Sequence, residues 1–370
     1  MAFNIASIYQ YIYLIFVILF TVYVMSQYSG MSYQKFVNHR NTNQGFLFVV
    51  LFFIFVIGLR PVSGYFVDMA NYNTYYYSIN YGTPFEFDWN SDNYLFDNLM
   101  AWMGSLWLDI RLFYVFVSVI YFGCAAIAFK KIFPNDSLLA FVVFLGAFST
   151  FSYGTNGIKA GAAASIFLLA LAYRENKALS VFLLFVTLGC HHSMLAPIVA
   201  YVMATIYRKP KLYLYTWVVC LLLAAAHVTF FQSLFAGFTD EQGAGYLDVE
   251  RIDKDVTGFR PDFILYSAVP VFLGYYLMTK KHIKSDYFNF IWCVYTATNC
   301  VFLLCTYGSY INRIAYLSWL MYPIVILYPF INISWSLIQK KYLKQAVYYH
   351  LGFTVFMVFI YYGLLSLSRS

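Results

Sequence analysis

Charge is scarce in this chain. Of 370 residues, 23 are Lys or Arg and 16 are Asp or Glu, 11% together, while 62% are hydrophobic. Mean hydropathy is +0.66. That is roughly half the charge of an ordinary soluble domain, and no water-soluble core can absorb so much apolar surface. Nucleotide and metal signatures are missing too. There is no Walker loop, GxGxxG, HExxH or zinc spacing, which argues against an ATP-driven pump or a metalloprotease; neither metal nor cofactor is expected. The six cysteines (Cys124, Cys190, Cys220, Cys293, Cys300, Cys305) lack CxxC spacing and lie in or beside apolar runs. They read as small core hydrophobes.

What the chain has in abundance is apolar runs, at about residues 7–25, 44–59, 110–129, 137–153, 155–173, 178–190, 193–207, 211–231, 262–279, 287–306, 312–332 and 346–366. Backbone groups in lipid must pair internally, so each run is expected as an α-helix, giving an all-α polytopic membrane protein with about twelve spans in one transmembrane domain, 1–370. The first run has no basic flank or small-residue cleavage site and is expected to be a retained span.

Basic residues sort cleanly between the two sides. Loops after the odd-numbered runs hold Lys35, Arg40, Lys130, Lys131, Arg174, Lys177, Arg208, Lys209, Lys211, Lys280, Lys281, Lys284, Lys340, Lys341 and Lys344 against only Asp136, Glu175 and Asp286. Lys and Arg near span ends favour the cytoplasm, so both termini are expected outside. The net charge of +7 is therefore a topology signal, and no nucleic-acid partner is inferred from it.

Two outward loops are long, about 60–111 and 232–262. Residues Tyr94 to Leu108 in the first alternate at near-helical spacing and predict a helix at the membrane interface, where Trp89, Trp102 and Trp107 suit the depth. The tyrosines Tyr72, Tyr75, Tyr76, Tyr77 and Tyr81 read as interfacial anchors or as sugar-stacking rings. The second loop, with Asp240, Glu241, Asp248, Glu250, Asp253 and Asp255 against Arg251, Lys254 and Arg260, reads as a solvated lid. The sixth and seventh runs are short and meet at Cys190-His191-His192-Ser193, so a recessed, outward-opening funnel is expected there.

Outward-side cations at helix ends are the candidates for chemistry: Arg60, Lys159 and Arg313. Together with His191 and His192 they suit an anionic lipid head group such as a diphosphate, since guanidinium and ammonium both bind phosphate oxygens; snorkelling to phospholipid phosphates is the plain alternative. Asp68 is the acid of an apolar and aromatic stretch and is a candidate general base, with simple pairing to Arg60 as the alternative. On a helix the adjacent histidines point about 100° apart, so only one is expected to line the cavity.

The pattern Gly58-Leu59-Arg60-Pro61, then Asp68 and Tyr72, Ile158-Lys159, His192-Ser193 and Arg313-Ile314-Ala315-Tyr316 resembles the EpsG family, which is similar to Wzy-type polysaccharide polymerases, across about residues 45–330. The resemblance implies a GT-C-like bacterial glycosyltransferase of the cytoplasmic membrane. Its substrates would be undecaprenyl-diphosphate-linked glycans at the outer face, with a flippase and a chain-length regulator as partners. Carried over by position, Arg60, Lys159 and Arg313 would hold diphosphate, and Asp68 and His192 would be catalytic. Tyr72, His191 and Arg260 are candidates for the sugar side. Lys159 departs from the family pattern, where an Arg is common, and loses the bidentate fork. A flippase for the same lipids, another lipid-carrier glycosyltransferase and a membrane acyltransferase are the alternatives.

Overall fold

In the computed structural model, the structure describes residues 5–29, 45–79, 84–236, 245, 247, 258–334 and 339–361. Lys35, Arg40, Tyr81 and the acids and bases of the second loop between Asp240 and Asp255 lie outside the described residues. Each of the twelve apolar runs contains helix, and no strand occurs, among the described residues.

In chain order the helices are α1 (Tyr9–Ser29), α2 (Phe46–Gly58), α3 (Val67–Ser78), α4 (Tyr94–Ser105), α5 (Ile110–Ile132), α6 (Ser137–Leu145), α7 (Thr150–Thr155), α8 (Ile158–Ala172) and α9 (Lys177–Cys190). There follow α10 (Leu195–Ile206), α11 (Pro210–Ala225), α12 (Phe230–Ala236), α13 (Pro261–Thr279), α14 (Asp286–Leu304), α15 (Ile311–Trp319), α16 (Tyr322–Ile331) and α17 (Gln339–Val355). Local chemistry sets several starts. Asp109, Asn176 and Ser285 accept from the backbone N–H of Arg111, Leu179 and Phe288, and proline opens α11 and α13, where its missing N–H costs nothing.

Six helical stretches are long and apolar enough to cross a membrane: Ile5–Tyr28, Ile110–Ile132, Pro261–Thr279, Asp286–Leu304, Ile311–Ile331 and Gln339–Tyr361. α11 and α12 would make a seventh, but they bend by 112°. Length and hydropathy therefore do not carry the expected count of twelve, because Phe46–Gly58, Ile158–Ala172, Lys177–Cys190 and His192–Ile206 fall short of the roughly twenty residues a crossing requires. The run at 137–153 is also divided, since residues 146–149 leave the helix and Thr150 Oγ donates back to the Phe144 carbonyl.

α14 is the hub. Asn299 accepts from Trp217 Nε1 of α11 at 2.8 Å and donates to Ser318 Oγ of α15 at 2.9 Å, and Trp319 Nε1 reaches Ser267 of α13. Fully satisfied buried amides of this kind fix the rotation of one helix on another. Small residues do the same for α8: the run Ala160 to Ala164 lets α5 approach until Ser165 Oγ meets the Ile120 carbonyl.

Gly161 makes the closest approach to another element's backbone. A Cβ there would lie 2.4 Å from the Tyr153 carbonyl oxygen of α7. Gly161→Ala is expected to cost about 1–3 kcal/mol, as overpacking against backbone usually does. Thermal unfolding in detergent checks this against Gly123→Ala, whose Cβ meets nothing within 4 Å and which should lose no stability.

The end bearing the cytoplasm-assigned loops is tied by Arg174 and Arg208, which both pair with Asp286, and by Asn332, which donates to the Ile132 carbonyl. At the opposite end the first long loop folds into its own layer. α3 and α4 cover a second apolar core that includes Phe66, Met69, Tyr76, Phe96 and Met100, closed against Phe113 and Tyr114 of α5. α4 is the helix expected over Tyr94 to Leu108, and Trp89, Trp102 and Trp107 remain exposed beside it.

Candidate active site

Three helix N-termini converge beneath that layer on a cavity of about 320 Å³. From α3 comes Asp68, from α8 Lys159 and from α15 Arg313. A helix N-terminus carries partial positive charge, which suits Asp68 and opposes both cations. Lys159 and Arg313 therefore gain nothing from their own helices, whereas an anion in the cavity would meet both cations.

Each cation is paired. Arg313 Nη2 donates to both Asp68 carboxylate oxygens, at 3.0 and 2.9 Å, and Lys159 Nζ lies 2.6 Å from Asp97 Oδ1 on α4. Asp68 thus finds its partner 245 positions along the chain, and Arg60, eight positions away, is not that partner. Asp97 went unnoticed in the sequence; its one signal was an acid inside an otherwise amphipathic helix.

Tyr72, one turn after Asp68, also lines the cavity. Burial, and then the Asp68 carboxylate, push its phenol well above the ordinary tyrosine range, with a backbone hydrogen bond at Lys159 opposing in part. Near neutral pH it is a hydroxyl donor.

α9 ends at Cys190, and His191, in extended conformation, turns the chain into a short 3-10 turn. His191 Nδ1 accepts from the Ser193 backbone N–H at 3.2 Å and lies 2.8 Å from Ser193 Oγ. A nitrogen that accepts from an amide carries no proton, so the neutral ring bears its proton on Nε2 and offers a donor there. His191 and Ser193 line the cavity; His192 does not, and its backbone N–H bonds instead to Asn93 Oδ1. Of the pair, the structure thus puts His191, rather than the sequence-preferred His192, in the wall. The reason is the turn: once the chain leaves α9 the helical spacing no longer governs where either ring points.

Arg60 stands apart. It is only 2% exposed, donates to the carbonyls of Ile57 and Thr155, and lies over the rings of Tyr114 and Phe66. It is not in the cavity wall, so the expected trio of cations at one depth becomes a pair. Arg60 instead ties the end of α2 to the end of α7, next to Asn156. Arg60→Ala is expected to lower the thermal midpoint in detergent while leaving pyrophosphate affinity unchanged, because it removes two charge-assisted hydrogen bonds from the packing and none from the cavity. Arg260 lines a neighbouring cavity, held by Asp262 through two hydrogen bonds and stacked on Phe263.

The remaining wall is uncharged: much of it is apolar, with Val67, Leu247, Val301, Ile314 and Leu317, and part of it is polar. Ser152, Tyr153, Asn156 and Asn312 contribute, and the buried Tyr153 hydroxyl and Asn156 Oδ1 have no hydrogen-bond partner among the described residues. Such buried atoms cost stability. In the sequence, Asn156 and Asn312 carry no signal beyond being polar residues close to Lys159 and Arg313. No group of three or more His, Cys, Asp or Glu placed to hold a metal ion occurs among the described residues, and the six cysteines are free.

The chain matches the model of the EpsG family over residues 45–368. No curated protein and no solved structure matches it.

Proposed function

Since the chain belongs to the EpsG family, a family of Wzy-type polysaccharide polymerases, we propose that it joins undecaprenyl-diphosphate-linked oligosaccharide repeat units into a surface polysaccharide at the outer face of the bacterial cytoplasmic membrane. The observation that carries this is the convergence of Lys159 and Arg313, each at a helix N-terminus, on one cavity that also holds Asp68. Diphosphate suits that arrangement, and a neutral glycan alone does not need it.

In the proposed reaction the acceptor hydroxyl oxygen bonds to the anomeric carbon of the donor sugar while the bond from that carbon to diphosphate oxygen breaks. Diphosphate leaves with the bonding electrons, and the hydroxyl proton passes to the Asp68 carboxylate. Lys159 and Arg313 stabilise the charge that develops on the leaving group. Both are engaged by carboxylates, so diphosphate binding exchanges an Arg313–Asp68 contact for an Arg313–phosphate contact and releases Asp68 as the base. The Tyr72 hydroxyl and His191 Nε2–H serve as donors to substrate oxygens. The basic helix ends face the cytoplasm and the cavity faces outward, in a GT-C-like helical architecture.

Reconstitution tests this. Purified protein in vesicles with lipid-diphosphate repeat units is expected to produce longer glycans without ATP or nucleotide sugar. Movement of the units across the bilayer with no elongation would instead make the chain a flippase.

A further inference from the structure

A second cavity, of about 520 Å³, lies behind the neutral wall of the first and shares Ser152, Asn156, Tyr310, Asn312 and Tyr316 with it. Its other side is built from α1 and its leading turn, including Ser7, Gln10 and Tyr11, from Tyr65 before α3, and from Arg260 before α13. Ser7 and Gln10 precede the stretch that the family model matches.

The two chambers differ in chemistry. The first contains Lys159 and Arg313 beside Asp68. The second contains one charged side chain, Arg260, whose guanidinium is already met by both Asp262 oxygens at 2.9 and 2.6 Å and by the Phe263 face at 3.8 Å. What it otherwise offers is amides, hydroxyls and aromatic faces. Rings of Tyr and Phe cover the apolar face of a sugar, while Gln10, Asn156, Asn312 and Ser7 suit its hydroxyls. An acyl chain matches the aromatic faces but has no use for so many amides and hydroxyls.

We propose that this second chamber binds the glycan of the acceptor substrate, so that the donor's diphosphate occupies the first chamber and the two sugars meet at the shared wall. The proposal rests on the polymerase reading. It explains why the wall that the two chambers share carries no charge. It also supplies what one cavity of about 320 Å³ does not, namely room for two glycosylated substrates at once.

The test uses the full chain in detergent and two probes. One is the lipid-free oligosaccharide released by mild acid from the lipid-diphosphate pool of the producing cells; the other is inorganic pyrophosphate. Calorimetry is expected to show that Gln10→Leu and Tyr65→Leu each weaken oligosaccharide binding by about tenfold, the effect of one or two lost contacts, without altering pyrophosphate binding. Lys159→Met should do the reverse. Oligosaccharide binding that is absent in the wild type, or unaltered in both Gln10→Leu and Tyr65→Leu, overturns the assignment, as does a phospholipid found by mass spectrometry to occupy the chamber and exclude the sugar. Failure of the polymerase reading looks different: the wild type binds the oligosaccharide with the same variant pattern, yet reconstituted vesicles yield no longer glycan.

Discussion

Arg313→Ala is expected to abolish chain elongation, with a loss of about a hundred- to a thousandfold in turnover, the usual effect of deleting a charge-stabilising contact to a leaving group. Fold stability should change little. The Arg313–Asp68 pair is partly exposed, and such pairs contribute at most about 1 kcal/mol. The two readouts therefore separate: elongation collapses while the thermal midpoint in detergent stays near that of the wild type. Arg313→Lys retains the charge but not the planar fork, so it should recover part of the activity. If Arg313→Ala elongates at the wild-type rate, Arg313 is not a diphosphate ligand and the first chamber loses its assigned occupant.

Asp68→Asn carries the second large effect and its signature differs in kind. Removal of a general base costs about a hundred- to ten-thousandfold, so turnover should fall accordingly. Pyrophosphate binding should rise, because Asp68 competes with the ligand for Arg313 and the amide does not. A fall in kcat together with tighter diphosphate binding is the expected pair of results. Weaker diphosphate binding in Asp68→Asn would contradict the exchange of partners at Arg313, and an unchanged kcat would remove Asp68 as the base. Combining Asp68→Asn with Arg313→Ala should give less than the sum of the separate losses, since each change disables the same proton-transfer and leaving-group step.

Asp97 adds a corollary on the other side of the cavity. Lys159 is engaged by Asp97, as Arg313 is by Asp68, so each cation of the site rests on a carboxylate from the first long loop. α3 and α4, which bear those carboxylates, are held over the bundle by the Phe96 and Phe113 core and by Tyr76 donating to the Leu108 carbonyl. The loop is thus a structural part of the site.

Much of this was legible in the amino acids. Apolar runs marked every span-length segment, the Tyr94 to Leu108 periodicity marked α4, and Lys159, Arg313, Asp68, Tyr72 and His191 all line the cavity. Short runs flanking His191 marked a turn there, and His191 lines the cavity. Other features did not follow, beyond the span count and the Asp97 partner of Lys159. Arg60 sits at the end of an apolar helix like the other cations, and nothing local distinguishes a guanidinium that packs between aromatic rings from one that faces substrate. His192 and His191 are equivalent in sequence, and only the extended backbone at His191 separates them. The interruption at residues 146–149 lies in a run whose composition reads as continuous helix.

Sequence by itself determined that the chain is helical and built for a bilayer, and it sorted the helix ends into a basic set and a mixed one, because hydropathy and charge act residue by residue along a helix axis. Tertiary structure alone decided which cation meets which acid, which histidine faces inward and where two chambers share a wall. Those outcomes depend on how far each helix is rotated and slid against its neighbours. Close contacts set that rotation, such as Gly161 on the Tyr153 carbonyl and Asn299 between Trp217 and Ser318, and no spacing within one helix records them.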